Sequence, residues 1–200
     1  ILMKVQIENR QTRFKIEKQK IRNTVSKILR LLDCEEKEVS ICFTDDQTIR
    51  KLNKHYLGRD KATNVLSFSL MEGEYGQINP HLLGDVVISV DTAQKDALKG
   101  NLSIEQEIDF LLIHGILHLL GYNHENASAE EEIIMQNKEK ELFNKIYVQE
   151  SEIESKIQEV LNDERINSEK GVPYTFEYNG KRIIGFVKLA FILSLKKFEI

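Results

Sequence analysis

The sequence predicts an α+β fold, a small mixed four-stranded sheet packed with about five helices. Three observations carry that expectation. Short β-rich runs stand at 38–44, 65–68 and 85–90. Longer segments repeat apolar residues at helical spacing. Strands come mainly first and helices mainly last, with some helices interspersed, which is the α+β order rather than strict βαβ alternation.

In chain order, residues 4–8 alternate weakly and suit a first strand. Residues 17–32 carry Ile21, Val25, Ile28, Leu29 and Leu32 between Lys and Arg, an amphipathic helix. Residues 38–44 alternate as a strand. Asp45 or Asp46 caps the next helix, which passes Ile49 and Leu52 and stops at Gly58. Residues 65–68 and 85–90 are the other strands, and a helix from Asp91 through Ala97 ends at Gly100. Ser103-Ile104-Glu105-Gln106 is a capping box opening an apolar helix over 104–120, with Gly121 at the position after it. Ser128 and Glu131 open a further helix to about Tyr147.

Two domains are expected: 1–150, and a C-terminal extension at 151–200 whose role the residues leave open. The extension holds a polar helix candidate at 152–166 and two strands joined by Asn179-Gly180, a hairpin with a type I′ turn. Residues 183–195 are apolar apart from Lys188 and Ser194 but too short to span a bilayer. No run of about 18 uncharged apolar residues exists, so no spanning helix and no membrane partner is expected. The first six residues have no apolar stretch of the secretory kind, and Cys34 and Cys42 read as reduced thiols of a cytoplasmic protein.

Charge is uneven. Residues 1–30 carry a net +7 and residues 50–61 a net +4, whereas residues 62–150 carry −10. Two basic blocks on an acidic body can face a polyanion, or can simply be solvated helix faces.

The densest chemistry lies in His114-Gly115-Ile116-Leu117-His118-Leu119-Leu120-Gly121-Tyr122-Asn123-His124. His114 and His118 leave one helix face, and a turn at Gly121 can bring His124 to a third position. The metal site therefore sits on a central helix and the following turn. Three neutral imidazoles leave one tetrahedral position open, the arrangement of a catalytic zinc rather than a closed structural one. Zinc is the first choice, one per chain; nickel, copper or another divalent ion also suits imidazole. The spacing matches the metzincin pattern H-E-x-x-H-x-x-G-x-x-H, but Gly115 occupies the place of its general-base glutamate.

This stretch resembles the H-G-x-L-H-L-x-G-Y-D-H signature of the YbeY family of bacterial metal-dependent endoribonucleases. Leu52-Asn53-Lys54-His55-Tyr56 is similar to the family's Leu-Asn-x-x-Tyr. Lys61-Ala62-Thr63-Asn64-Val65-Leu66-Ser67-Phe68 is similar to its Lys-Pro-Thr-Asp/Asn-Val-Leu-Ser-Phe, and Leu83-Gly84-Asp85-Val86 to its Leu-Gly-Asp-Ile. The likeness covers about residues 3–148. It implies a single-strand-specific endoribonuclease that matures the 3′ end of small-subunit ribosomal RNA and serves ribosome quality control, with RNA and ribosomal small-subunit components as partners. Ala62 stands for the family's proline, Asn123 for its aspartate and Leu57 for its arginine, with Arg59 the nearest substitute.

The catalytic candidates are therefore His114 and Arg59, and the metal candidates His114, His118 and His124. Arg59 either stabilises charge on an attacked phosphate or is a solvated loop residue. Asp85 either orients a ligand or is a turn carboxylate, and Ser67 and Phe68 end a strand, with Phe68 read as core. Glu105, Glu107 and Asp109 read as structural, and His55 and His81 are given no metal role. A metzincin-like peptidase and a non-catalytic, metal-stabilised ribosome-binding factor are the alternative functions.

Overall fold

The computed structural model describes residues 5–71, 79–122, 128–161, 172–178 and 181–187. The chain divides into two compact units, Ile1–Ile146 and Tyr147–Ile200.

The first unit is built on a four-stranded sheet. Strands β1 (Val5–Asn9), β2 (Glu38–Thr44), β3 (Val65–Ser69) and β4 (Leu82–Ser89) lie in the order β1-β2-β4-β3. The first three in that order run parallel and β3 is antiparallel to β4, so the sheet is mixed. A parallel pair needs a crossover, and helix α1 (Lys18–Leu31) supplies it between β1 and β2. Helices α2 (Asp46–Leu57), α3 (Val90–Gly100), α4 (Ile104–Leu119) and α5 (Ala129–Leu161) complete the expected five.

Side-chain alternation assigns the two faces of the sheet. Ile41 lies beside Val86, and Val86 beside Ser67. This face, with Val39, Phe43 and Ile88, is buried beneath α4. On the other face α2 lays Ile49 over Leu66 and Val87, with Leu52, Cys42 and Phe68 packed at the margin. Helix α4 is apolar almost all round, as a helix at the centre of a fold must be. Beyond its first turn, its partly open positions are Phe110, His114 and His118.

Local signals act as the sequence suggests. Asp45 caps α2 by accepting from Thr48 N–H at 2.8 Å, and Gly58 ends it in the left-handed region. The Ser103–Gln106 capping box has both reciprocal bonds. Ser128 and Glu131 pair likewise at the start of α5. One polar knot joins α2 to α3. Asp46 accepts from the hydroxyls of Ser89 and Thr92, each at 2.6 Å, and from Lys95 at 2.7 Å. Burial alone would push the Asp46 carboxyl up, but these donors together hold it below its ordinary value.

Helix α3 ends at Gly100 as expected, and Asn101 after it takes a positive φ of 54°. Asparagine tolerates that conformation through local hydrogen bonding. Two expectations are corrected. The break expected near residue 147 is absent: α5 runs unbroken to Leu161, with no Gly or Pro between 129 and 161 to stop it. Strand β4 begins at Leu82 and gives up Val90 to α3.

The second unit contains an antiparallel hairpin of β5 (Val172–Tyr178) and β6 (Lys181–Val187). Pairing of Tyr178 with Lys181 leaves the two-residue connection expected; its turn type, and residues 162–166 of the helix candidate, lie outside the described residues. Among the described residues no helix is long and apolar enough to cross a membrane.

Candidate metal centre

His114 and His118 come together because α4 carries them one turn apart on one face. Their rings meet edge to face at 4.6 Å between centroids, with the two Nε2 atoms 3.1 Å apart. Two nitrogens bound to one tetrahedral zinc at ordinary ligand distances stand about 3.3 Å apart, so this pair is already spaced as metal ligands are.

The second nitrogen of His114 is also engaged. Its Nδ1 lies 2.6 Å from Oε1 of Glu139, on α5. With the carboxylate accepting and the ring neutral, the proton sits on Nδ1 and the Nε2 lone pair faces His118. Glu139 is about nine-tenths buried and His114 is about 20% exposed, so the bond is held away from bulk water. Phe110, Met135 and Glu132 line the same cleft between α4 and α5, whose volume is about 240 Å³.

The sequence reading missed Glu139. A signal was present: Met135, Glu139, Leu142 and Ile146 recur at helical spacing, and all four are buried. A single carboxylate on an otherwise apolar stripe needs a partner in the core.

Gly121 turns the backbone just past the second histidine. Its φ of 88° lets Gly121 N–H reach the carbonyl of His118 and Tyr122 N–H reach that of Leu117, a Schellman closure. His124 and Asn123 lie outside the described residues. Among the described residues no group of three or more His, Cys, Asp or Glu side chains is gathered to hold a metal.

Gly115 faces the sheet. A Cβ there would stand 2.6 Å from Val86 Cγ1 and 3.2 Å from Ser67 Oγ. Helix and sheet touch at this point, and a glutamate has no room to enter. Ser67 thus serves packing against α4, and among the described residues its buried hydroxyl has no hydrogen-bond partner.

Arg59 lies in the exposed loop between α2 and β3. That loop is tied back to α2: the buried Asn53 donates from Nδ2 to the Lys61 carbonyl at 2.8 Å, and its own carbonyl accepts from Arg59 N–H at 3.2 Å. Asp60 accepts from Arg50 and Lys54, at 2.7 and 2.8 Å, and these donors hold its carboxyl down at about 2. Asp85 is exposed on the sheet face opposite α4, the helix that carries His114 and His118. Phe68 is half-buried against the core beneath α2, in keeping with the core role expected of it. Glu107 and Asp109 are buried rather than solvated, and burial pushes the Glu107 carboxyl up. The His55 ring packs on Tyr56, and the His81 carbonyl accepts from Glu38 N–H.

The family model for Endoribonuclease YbeY matches residues 6–147. The chain belongs to the YbeY family. An Endoribonuclease YbeY of Syntrophus aciditrophicus is 56% identical over 141 residues, covering 70% of this chain and 88% of that protein. One of Geobacter metallireducens is 45% identical over 141 residues, covering 70% and 94%. The solution structure of TM1509 from Thermotoga maritima superposes with a TM-score of 0.51 at 23% identity, covering 76% of this chain and 95% of that one, which supports the fold. The YbeY match stops at residue 147, within one residue of where the first compact unit ends.

Proposed function

We propose that this YbeY chain is a single-strand-specific, metal-dependent endoribonuclease of the cytoplasm. Its substrate is small-subunit ribosomal RNA at the 3′ end, and it serves ribosome quality control in contact with small-subunit components. The observation that carries the reading is the convergence of His114 and His118 through Nε2, with Glu139 behind His114. Such carboxylate–histidine pairs orient imidazoles towards metals.

In this reading His114, His118 and His124 hold one divalent ion, zinc by first choice. When bound, the ion polarises a phosphoryl oxygen and lowers the pKa of its water towards about 7. The chain supplies the remainder. Glu139 would hold the Nδ1 proton of His114 and so keep the Nε2 lone pair on the side that faces His118. The left-handed turn at Gly121 redirects the backbone towards His124. The exposed cations of 50–61 would hold phosphates, and Arg59, on a loop pinned by Asn53, would meet charge developing on the scissile phosphate.

The peptidase alternative loses its support at Gly115, where Val86 leaves no space for the general-base carboxylate that pattern requires. The test is cleavage of a single-stranded ribosomal RNA 3′ segment and of casein, by protein before chelation, after it, and after zinc is restored. RNA is expected to be cut only with metal present, and casein not at all. Metal-dependent casein hydrolysis would contradict the reading. RNA binding without cleavage in any metal state would favour a non-catalytic ribosome-binding factor.

A further inference from the structure

Residues 54–61 form an unbroken exposed run, Lys54-His55-Tyr56-Leu57-Gly58-Arg59-Asp60-Lys61. At its centre Tyr56 is 59% exposed and Leu57 beside it is 49% exposed. The tyrosine is nevertheless held. His55 packs against it at 4.7 Å between centroids and Phe68 at 4.9 Å, both in edge contacts. Phe68 is itself anchored on Ile49, Leu66 and Val87. Two aromatic neighbours thus support the ring of a residue that is more than half exposed.

The surroundings are cationic. Lys51, Lys54, Arg59 and Lys61 are all exposed, and the one acid in the run, Asp60, is already bonded to Arg50 and Lys54. An exposed aromatic residue on a lysine- and arginine-rich segment matches a ligand that pairs flat apolar faces with regularly spaced negative charges, namely single-stranded nucleic acid. The position suits the histidine site. Phe68 touches Tyr56 on one face of the sheet, while its neighbour Ser69 donates to the Leu119 carbonyl at the end of α4 on the other. Both helix ends meet at one end of β3, the edge strand, so a chain lying on Tyr56 can pass round that edge towards His118.

We propose that Tyr56 is a stacking platform for one base of the RNA strand, with the cations of 51–61 holding the flanking phosphates. This rests on the reading of the protein as an RNA-cleaving enzyme and adds the surface by which it grips the strand. The experiment is fluorescence anisotropy with a labelled single-stranded oligoribonucleotide, chelator present and the strand checked intact on a gel, across a salt series. Parent, Tyr56→Ala, Tyr56→Phe and Lys54→Ala are compared, each with the full strand and with strands lacking one base at successive positions.

Tyr56→Ala is expected to weaken binding on the order of 10-fold with an unchanged salt slope, and Tyr56→Phe to bind as the parent does. Lys54→Ala is expected to flatten the slope by up to about one unit. One abasic position should cost the parent affinity and cost Tyr56→Ala none. Parent-like affinity in a folded Tyr56→Ala, or no base position that depends on Tyr56, would overturn the platform while leaving the enzyme reading intact. A parent that fails to bind the full strand would overturn both.

Discussion

Replacing Glu139 by alanine is expected to weaken binding of a divalent ion roughly 10–100-fold, the usual cost of removing a carboxylate behind a ligating histidine. The reason is the 2.6 Å bond to His114 Nδ1. Without an acceptor there, the imidazole is free to rotate and to place its proton on Nε2, the atom that faces His118. Glu139→Gln keeps an acceptor oxygen and loses the charge, so its affinity should fall between parent and alanine. The check is zinc affinity by competition with a chromophoric chelator, read beside the melting temperature of each metal-free protein. Removing a buried carboxylate alters stability whether or not a metal binds, so a change in melting temperature alone decides nothing. Parent-like zinc affinity in Glu139→Ala would mean that the bond from Glu139 does not orient His114 for a metal.

Gly115→Ala should destabilise the protein by about 1–3 kcal/mol, a fall in melting temperature of very roughly 2–12 °C for a chain of this size. Two effects compete. Alanine gains about 1 kcal/mol over glycine in a helix interior. Against this, the new methyl stands 2.6 Å from Val86 Cγ1, a branched side chain buried in the sheet that cannot swing away, so α4 or β4 must shift. The clash is the larger effect. Gly115→Glu should be worse still, losing the fold rather than acquiring peptidase activity. Thermal melts of both variants check this, and an alanine variant as stable as the parent would mean that helix and sheet are not in contact at that point.

Much of the molecule is legible in the chain because its signals are local. The Ser103–Gln106 box, the Asp45 cap, and the left-handed Gly58 and Gly121 each depend on residues a few positions apart, and each acts as the sequence suggests. The pairing of His114 with His118 is local too, being one helical turn. What escaped the sequence reading is non-local. The order β1-β2-β4-β3 depends on which strands meet across intervening helices, and no periodicity encodes it. Glu139 stands out on its own helix as a charge among Met135, Leu142 and Ile146, but its role becomes visible only when α5 lies against α4. Gly115 shows the converse. Its presence in the histidine motif was plain, yet the reason lies in Val86, twenty-nine positions earlier, on a strand that packs under the helix. The continuous α5 was missed because the polar stretch around residue 150 resembles a linker in composition while containing nothing that breaks a helix.

Elemental analysis of dialysed protein, comparing the parent with His114→Ala, His118→Ala and His124→Ala, tests the proposed three-histidine metal centre most directly. In a centre of that kind each substitution would remove one of three protein ligands on which the affinity depends. The expected result is about one equivalent of divalent metal in the parent and far less in every variant, with RNA cleavage lost in step. A parent that carries no metal yet cuts RNA, or a His124→Ala protein that keeps its full equivalent, would contradict it.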